Sequence, residues 1–471
     1  DVVAKEYSEF KQIYPKPGWV EHNPIEIWEV TKRLIDNILC KYPIEKIDSI
    51  GITNQRETTV VWDKNSGKPI YNAIVWQCRR TSNYCDELKK EGLSKLFETK
   101  TGLVIDSYFS GTKINWILDN VDNARQMSEN QELLFGTIDT WLVWNLSGKK
   151  YHITDYTNAS RTLIFNIDDK CWDDELLSIL KIPKTILPEV KSSSEIYCES
   201  HENITGKSIP ISGIAGDQQS ALFGQNGFEI NSIKNTYGTG CFLLVNTGDK
   251  RIKSNSGMIN TLACDSMGNP IYALEGSVFI GGAVIQWIRD ELKFIKNASE
   301  SENIANSISD TGGVYMVPAF SGLGSPYWDM DARGLICGIT RGTNQKHLIR
   351  AALESIAFQV KDLIDAIQLD LSEPLKELKV DGGATNNNFL MQFQADILGL
   401  NINKPKNIET TAMGAGFLAG LATGFWKSSD ELLTARKIDR IYKPEMSESK
   451  KQAIWFGWKN AIQRTLIKED E

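Results

Sequence analysis

Short apolar runs that end in glycine or an acidic residue recur along this chain of 471 residues and alternate with segments of helical periodicity. Short β-branched or aromatic runs are typical of strands, whereas apolar residues spaced three and four apart are typical of helices. Strands that alternate with helices predict an α/β fold that contains parallel sheet. The strand-like runs are at 47–53, 58–62, 210–214, 241–245, 314–317 and 378–380, and the helical segments are at 110–119, 277–292, 347–368, 387–398 and 411–422.

The length of the chain indicates more than one domain, because a single hydrophobic core rarely grows beyond ~250–300 residues. A helix-like segment ends at Gly224–Gly227, ahead of a glycine-rich block that begins near Lys234. We therefore predict two domains, residues 1–226 and residues 227–471. The polar stretch 191–208 is predicted to be an exposed loop.

The composition is that of a globular protein, with 41% hydrophobic and 24% charged residues. A net charge of −8 lacks the basic surface that a nucleic-acid partner needs. No apolar run reaches the ~20 residues of a membrane-spanning helix, and no secretory signal is visible, so we expect a cytoplasmic protein. The eight cysteines contain no Cys-x-x-Cys pair and the four histidines have no metal-ligand spacing, so a zinc or iron site is not expected.

An acid followed by two amides comes directly after the apolar strand that ends at Gly216. Asp217 is therefore predicted to be held rigidly at the end of a strand, where it can accept a proton from a substrate hydroxyl. The alternative is that Asp217 only caps the helix that begins near Gln219, since aspartate is a good N-cap.

Three glycine clusters lie in the second half of the chain, at Thr236–Gly240, Gly281–Gly282 and Asp381–Thr385. Each allows the backbone to approach a ligand closely and can direct successive N–H groups at an anion. None has the spacing of a P-loop, and each taken alone is typical of an ordinary turn. Three clusters in one half of the chain favour a nucleotide-phosphate site.

Adjacent charges of opposite sign lie between the first two predicted strands, at Arg56 and Glu57. Such a pair offers fixed donors and an acceptor, which suits a polyhydroxylated substrate. The alternative is a solvated turn with an incidental charge pair. Trp76 is equally consistent with a ligand-facing ring and with ordinary core packing.

Several longer segments together resemble the FGGY family of carbohydrate kinases, and most closely its glycerol-phosphorylating members. The resemblance extends from Pro15 to Trp458 and implies two actin-like (ribonuclease H-like) ATPase domains with an interdomain cleft. The segments that carry it are Ile52–Thr58, Tyr71–Arg80, Tyr108–Trp116, Gly216–Gln219, Tyr237–Cys241 and Gly334–Glu354.

The resemblance also implies roles for individual residues. One set binds glycerol, with a charged pair, a polar ring and two aromatic walls, and the other set contacts ATP or ADP. The glycerol set is Arg56, Glu57, Tyr108, Asp217, Gln218, Trp76 and Phe242, and the nucleotide set is Thr239, Gly282, Gln286, Gly383 and Asn387.

The reaction that the resemblance implies is phosphorylation of glycerol by ATP to sn-glycerol 3-phosphate, with Asp217 as proton acceptor and as a partner of Mg²⁺. We expect a homodimer or homotetramer. Family members carry an N-terminal hairpin with a phosphate loop, and Asp1 would correspond to the end of that hairpin. Two alternatives remain open: an FGGY kinase for a longer polyol or a ketose, and a polyol-binding protein of impaired activity.

Overall fold

The computed structural model describes residues 2–466, in which strands and helices alternate as the sequence predicts. The strands are β1 (Gln12–Ile13), β2 (Glu21–His22), β3 (Ile50–Asn54), β4 (Val60–Asp63), β5 (Ala73–Ile74), β6 (Leu133–Gly136), β7 (Ile153–Asp155), β8 (Phe165–Asn166), β9 (Cys171–Trp172), β10 (Glu189–Lys191), β11 (Ser194–Glu199), β12 (Pro210–Gly216), β13 (Ile233–Tyr237), β14 (Cys241–Gly248), β15 (Ile259–Cys264), β16 (Pro270–Val278), β17 (Tyr315–Val317), β18 (Leu335–Cys337), β19 (Glu377–Asp381), β20 (Asn401–Pro405) and β21 (Ile438–Tyr442).

The α-helices range from single turns to one of 26 residues. They are α1 (Pro24–Lys41), α2 (Ser82–Lys90), α3 (Ser94–Thr101), α4 (Ser110–Asn120), α5 (Ala124–Glu129), α6 (Ile138–Leu146), α7 (Tyr156–Ala159), α8 (Asp174–Ile179), α9 (Glu202–Thr205), α10 (Asp217–Gly224), α11 (Ala283–Asp290), α12 (Glu300–Asn306), α13 (Gln345–Asp370), α14 (Asn388–Leu398), α15 (Thr410–Ala422), α16 (Ser429–Ala435) and α17 (Glu448–Leu466). None of these helices, within residues 2–466, has the length and hydropathy needed to cross a bilayer.

The chain divides into two compact units, and each unit is assembled from three segments. The first unit takes residues 1–226, 260–272 and 411–435, and the second takes the remaining segments. The main division therefore falls between Asn226 and Gly227. Two segments that the sequence analysis assigned to the second domain, 260–272 and 411–435, belong to the first unit.

Small residues explain why segment 411–435 packs in the first unit. A Cβ atom at Gly51 of β3 would lie 2.2 Å from the carbonyl oxygen of Ala415, and one at Gly213 of β12 would lie 2.6 Å from the nitrogen of Ala419. In the same way, a Cβ at Gly414 would lie 1.8 Å from the carbonyl oxygen of Ser220. Helix α15 thus lies directly against backbone of the first unit, an approach that side chains at these glycines would prevent.

Hydrogen bonds tie segment 260–272 to the first unit. The amide of Asn260 donates to the carbonyl of Gly102 at 2.9 Å. The Gln219 side chain donates to the carbonyl of Leu262, also at 2.9 Å. These partners come from distant parts of the sequence, so local periodicity carries no signal for them.

A three-stranded sheet in the order β11-β12-β3 carries Arg56 and Asp217 just beyond the carboxyl ends of two of its strands. β12 runs parallel to β3, with Ala215 opposite Thr53 and Gly216 opposite Asn54. A buried apolar cluster that includes Ile52, Ile211 and Ile214 packs against this sheet. The carboxyl ends of β3 and β12 therefore lie side by side.

In the second unit, strands β16, β14, β13, β19, β20 and β21 are neighbours in that order in one sheet. β13 pairs antiparallel with β14 and parallel with β19. Helix α13 is the central helix of this unit: Ile349, Leu353, Ile356 and Val360 are among its side chains in the large apolar core. The carboxyl ends of the parallel strands β13 and β19 therefore lie side by side on a sheet that packs against this core.

Several predicted elements begin or end one to three residues from their observed bounds, and two predicted segments differ from the structure in kind. Segment 277–292 is helical only over Ala283–Asp290, because β16 extends to Val278 and the Gly281–Gly282 turn separates the two elements. The polar stretch 191–208 is not a loop throughout, since it contains β11 and α9. β11 pairs antiparallel with β12. Its backbone bonds are thus satisfied by a neighbour that polar side chains do not reveal.

The C-terminal helix of the described chain is fixed by a buried carboxylate of α13. Asp362 accepts a hydrogen bond from the indole Nε1 of Trp458 at 2.7 Å and pairs with the ammonium of Lys459. The Trp458 ring also stacks on Phe358, with 5.1 Å between ring centroids. One carboxylate therefore orients a large buried side chain of α17.

We predict that Asp362→Ala lowers the free energy of unfolding by ~2–4 kcal/mol, because the buried Trp458 donor loses its partner. Urea denaturation followed by circular dichroism measures this change. Asp365→Ala on the same helix is the matched control, since Asp365 is 44% exposed and pairs with Lys361. This control should cost less than about 1 kcal/mol. Equal losses in the two variants would contradict the anchoring role of Asp362.

Candidate active site

Two oppositely charged side chains meet where β3 and β12 end. Arg56 follows β3, Asp217 follows β12, and the parallel register of the strands brings them together. Arg56 Nε lies 3.0 Å from Asp217 Oδ1 in an ion pair, and Arg56 Nη1 donates to Gln219 Oε1 at 3.2 Å. Arg56 is buried, whereas the Asp217 side chain is 31% exposed. The pair thus presents a carboxylate that solvent or a ligand can reach, held from behind by a buried cation.

The glycine before Asp217 makes room for this pair. A Cβ atom at Gly216 would lie 2.7 Å from Cδ and 2.8 Å from Cγ of Arg56. The Gly216 amide donates to Thr157 Oγ1 at 2.8 Å, and that hydroxyl in turn donates to Asp155 Oδ2 at 2.7 Å. Burial raises the pKa of the Asp155 carboxyl, although the donors around it oppose that shift. The end of β12 is therefore fixed by bonds as well as by shape.

Asp217 is the first residue of α10, and the cap position belongs to Gly216. Asp217 Oδ1 accepts from the amide of Gln218 at 2.8 Å, in addition to the Arg56 ion pair. Both contacts engage the same carboxylate oxygen, which leaves Oδ2 directed to neither of them. The geometry therefore differs from a simple N-cap, in which the aspartate precedes the helix and accepts from the second or third residue within it.

Glu57 has a closer partner than its sequence neighbour. Arg161 Nε lies 2.6 Å from Glu57 Oε1, whereas Arg56 Nε lies 3.9 Å from the same oxygen. The three side chains are almost completely buried. Glu57 also has a φ of 59°, in the left-handed region that non-glycine residues rarely adopt. A strained backbone and a buried carboxylate at one position indicate a functional constraint.

An aromatic group continues the cluster from Arg161. The Arg161 guanidinium lies 5.5 Å from the ring centroid of Tyr108, and the Tyr108 ring meets Trp76 edge-to-face with centroids 5.5 Å apart. Tyr108 is buried and Trp76 is half-buried. A continuous chain of contacts thus joins five of the predicted residues of the first unit through Arg161: Asp217, Arg56, Glu57, Tyr108 and Trp76. Gln218 is adjacent to Asp217 and buried.

Two glycine turns of the second unit interlock through their backbones. The amides of Gly281 and Ala283 donate to the carbonyl of Thr239 at 2.7 and 3.1 Å. The amide of Gly282 donates to the carbonyl of Gly238 at 2.8 Å. A Cβ at Gly282 would lie 2.8 Å from the oxygen of Gly238. The turn after β13 and the start of α11 therefore form one structure at which Thr239 is exposed.

Two further predicted residues of the second unit, Gln286 and Gly383, lie on the elements that follow these turns and β19. Gln286 is exposed one turn along α11 from Gly282, while Gly383 is exposed and follows β19. A Cβ at Gly382 would lie 2.6 Å from the carbonyl oxygen of Tyr237, so the turns after β13 and β19 are in close contact. Such an edge at the carboxyl ends of parallel strands is where α/β proteins bind ligands.

Asn387 and Phe242 have structural contacts that the sequence did not indicate. Asn387 caps α14 by accepting from the amide of Leu390 at 2.9 Å, and its amide donates to Ser301 at 3.2 Å. Phe242 is half-buried on β14, and its carbonyl accepts from the ammonium of Lys234 at 3.3 Å. Phe242 belongs to the second unit, apart in sequence and unit from the other residues predicted to bind the polyol.

Sequence reasoning missed Arg161 and Gln219 as parts of the cluster. Arg161 follows the short helix α7, and its sequence context carries neither a glycine turn nor a strand end that would single it out. Gln219 was within the Asp-Gln-Gln motif, but a buried amide that bonds both Arg56 and Leu262 requires the fold to be seen.

We predict that Gly216→Ala lowers the free energy of unfolding by ~1–3 kcal/mol, because the new methyl group must displace Arg56. Chemical denaturation of the purified variant measures the change. Gly416→Ala is the matched control within the first unit: Gly416 is an exposed helical glycine with no atom within 4 Å of an added Cβ. The control should be neutral or stabilising by up to about 1 kcal/mol. A neutral Gly216→Ala would show that Arg56 is not packed as described.

Comparisons with known proteins identify the family of the chain. The sequence matches the N-terminal domain of the FGGY family of carbohydrate kinases over residues 1–224 and the C-terminal domain of the same family over residues 233–423. It is 60% identical over 467 residues to a glycerol kinase of Carboxydothermus hydrogenoformans, covering 98% of this chain and 93% of that protein. It is 56% identical to glycerol kinase 2 of Thermotoga maritima, covering 99% of this chain and 94% of that protein.

Solved structures give the same result. The fold is similar to that of Plasmodium falciparum glycerol kinase with ADP, with a TM-score of 0.91, 38% identity and coverage of 100% of this chain and 94% of that one. A ligand-bound xylulose kinase of Lactobacillus acidophilus shares the fold at a TM-score of 0.84 and 23% identity, over 97% of this chain and 91% of that one. The predicted two-domain, actin-like α/β fold is confirmed. The chain belongs to the FGGY family of carbohydrate kinases.

Proposed function

We propose that this protein is an ATP-dependent kinase that phosphorylates glycerol to sn-glycerol 3-phosphate. The observation that carries the proposal is the contact chain from Asp217 through Arg56, Glu57 and Arg161 to Tyr108, in which an accessible carboxylate lies beside buried donors and acceptors. Relatives that cover nearly the whole chain at 56–60% identity are glycerol kinases. Activity on glycerol, measured by ADP release against a panel of longer polyols and ketoses, tests it directly.

On the polyol side, we assign hydroxyl binding to Arg56, Glu57, Tyr108 and Gln218. The buried guanidinium supplies N–H donors in a fixed plane, and the buried carboxylate of Glu57 supplies acceptors. These side chains are already held in place by other contacts, so they lose little conformational entropy when a ligand binds. A small substrate, which makes few contacts, can therefore still bind favourably. We assign the rings of Trp76 and Phe242 to the carbon chain of the polyol.

On the nucleotide side, we assign phosphate binding to the interlocked turns at Thr239 and Gly282. The glycines of these turns carry no bulky side chains, so an anion can approach the exposed Thr239 closely. Gln286 is exposed on α11, one turn after Gly282. The turn that contains Gly383 and Asn387 lies beside the end of β13. We assign Gly383 and Asn387 to the ribose and base, although the Asn387 side chain also caps α14.

Chemistry at Asp217 follows from its two contacts. Arg56 and the Gln218 amide both engage Oδ1, so Oδ2 is the oxygen that we assign to the substrate hydroxyl. Proton transfer to a positioned carboxylate increases the nucleophilicity of the hydroxyl as it attacks the γ-phosphorus atom. The buried Arg56 keeps the carboxylate from turning away from that position. In phosphoryl transfer, positioning of this kind and electrostatic stabilisation supply most of the catalysis.

A magnesium ion fits this site as an ion shared with the nucleotide. In residues 2–466 there is no cluster of three or more acidic, histidine or cysteine side chains that could enclose a metal. Mg²⁺ in phosphotransferases takes one or two carboxylates together with substrate phosphates, so one accessible carboxylate meets the requirement. We propose Asp217 as an indirect partner of that ion. When bound, Mg²⁺ would neutralise charge on the phosphate oxygens.

We further propose that the protein acts in the cytoplasm as a homodimer or homotetramer, on the basis of its family resemblance. Analytical ultracentrifugation of the purified protein would give the oligomeric state. A monomer at micromolar concentration would contradict this part of the proposal.

Asp217→Asn keeps the shape of the side chain and removes its charge. We expect kcat for glycerol phosphorylation to fall ~10²-fold or more, because the hydroxyl loses its proton acceptor. The ATP KM should change little. Steady-state kinetics with a coupled ADP assay measures both, and Asp174→Asn on the exposed surface is the control. Turnover of Asp217→Asn near the wild-type rate would show that Asp217 serves only the start of α10.

Arg56→Ala removes the cation that holds Asp217 and faces Glu57. We expect a loss of ~2–4 kcal/mol in kcat/KM for glycerol, because buried polar groups are left without a partner. Arg125→Ala is the control, since Arg125 is half-buried outside the candidate site and pairs with the exposed Asp119. An unchanged glycerol KM and kcat in Arg56→Ala would remove this residue from the site.

A further inference from the structure

Lys113 carries a completely buried amino group whose hydrogen-bond partners are backbone carbonyls. It is the fourth residue of α4, and its Nζ donates to the carbonyl oxygen of Tyr108 at 2.6 Å and to that of Glu57 at 3.2 Å. Glu57 and Tyr108 are 51 positions apart in the sequence, and both belong to the contact chain of the candidate site. One side chain therefore joins the backbones of two residues that we assign to the polyol.

The surroundings of Lys113 disfavour an ammonium group. Burial lowers its pKa to about 7, and Arg79 acts in the same direction, while Glu57, Cys78 and Asp106 oppose the shift. The first turn of a helix is also an unfavourable place for a cation because of the helix dipole. Its two hydrogen bonds go to neutral carbonyl oxygens. A lysine that only filled space would be better replaced by an apolar side chain.

The Glu57 carbonyl accepts two further hydrogen bonds. Ser110 Oγ and Thr59 Oγ1 each donate to it at 3.1 Å, in addition to Lys113. Three donors on one carbonyl fix the peptide plane after Glu57, whose own φ is left-handed. Because this conformation is unfavourable for a glutamate, the bonds are needed to hold it. The direction of the Glu57 side chain towards Arg161 depends on this peptide plane.

We propose that Lys113 is a positioning residue that locks the Glu57 turn to the Tyr108 turn, so that their side chains face the polyol in a fixed arrangement. The inference rests on the proposed function, because the polyol is the ligand that the arrangement serves. Lys113 itself does not contact the substrate. It acts through Glu57 and Tyr108 only.

The alternative is that Lys113 merely stabilises the packing of α4. A packing role predicts a lower melting temperature with both substrates affected alike or neither affected. A positioning role predicts a selective loss on the polyol side, since the nucleotide is assigned to residues of the second unit. The ratio of the glycerol and ATP effects therefore separates the two.

The test is Lys113→Met, which keeps the length of the side chain and removes its donors. We expect the glycerol KM to rise ~10–100-fold with the ATP KM within about twofold, as for a binding group displaced by about 1 Å. Calorimetric titration with glycerol alone should show the same weakening without turnover. A glycerol KM equal to that of the wild type, or equal rises for both substrates, would overturn the proposal.

Asn115→Ala is the matched control on the same helix. Asn115 is buried and donates to the carbonyl of Leu180 at 3.1 Å, away from Glu57 and Tyr108. It should lower the melting temperature and leave the glycerol KM unchanged. If Lys113→Met does not fold, Ser110→Ala tests the same link, with an expected rise of ~2–10-fold in the glycerol KM. An unchanged glycerol KM in Ser110→Ala would then overturn the proposal.

The wild-type protein separates the two levels of inference. A wild type that does not phosphorylate glycerol overturns the proposed function, and with it the role of Lys113. An active wild type beside an unaffected Lys113→Met overturns the role of Lys113 alone.

Discussion

The parallel pairing of β3 with β12 is the constraint on which the chemistry of the first unit depends. Arg56 and Asp217 are 161 positions apart and meet only because Asn54 is opposite Gly216. A slip of one residue would turn every side chain of a strand to the other face, and the ion pair would be lost. The absence of a side chain at Gly216 completes the fit, since Arg56 lies where a Cβ would extend. Register and shape thus jointly determine where the carboxylate is presented.

The alternation of strands and helices could be predicted from the sequence, because the spacing of apolar residues, every two in strands and about every 3.6 in helices, is a local property. The motif at Asp217 could be recognised for the same reason, because it directly follows the apolar strand that ends at Gly216. The segment 277–292 was misread because an apolar strand and an apolar helix on either side of Gly281–Gly282 give one continuous hydrophobic pattern. Periodicity alone does not separate such neighbours.

Pairings between distant segments could not be predicted from patterns. Nothing near Glu57 indicates that Arg161, rather than Arg56, is its close partner. The family resemblance supplied roles for Arg56 and Glu57, but not the buried cation that holds the second of them. The sequence also did not indicate that segments 260–272 and 411–435 belong to the first unit. Segment 411–435 packs there because its backbone approaches glycines such as Gly51 and Gly213. A missing side chain leaves no periodic signal.

Assembly of the first unit from three segments has a consequence for biosynthesis. α15 must reach the sheet of β3 and β12 before Gly51 and Gly213 are covered, and α15 begins at Thr410. A ribosome has therefore translated most of the chain before the N-terminal unit can complete its packing. Until then, apolar surface around that sheet lacks its final cover, which makes nascent intermediates prone to association. Contacts that span hundreds of residues also slow folding, since loop closure precedes the contacts that compensate for it. Production of this protein should thus depend on chaperone capacity and growth temperature more than its native stability alone implies.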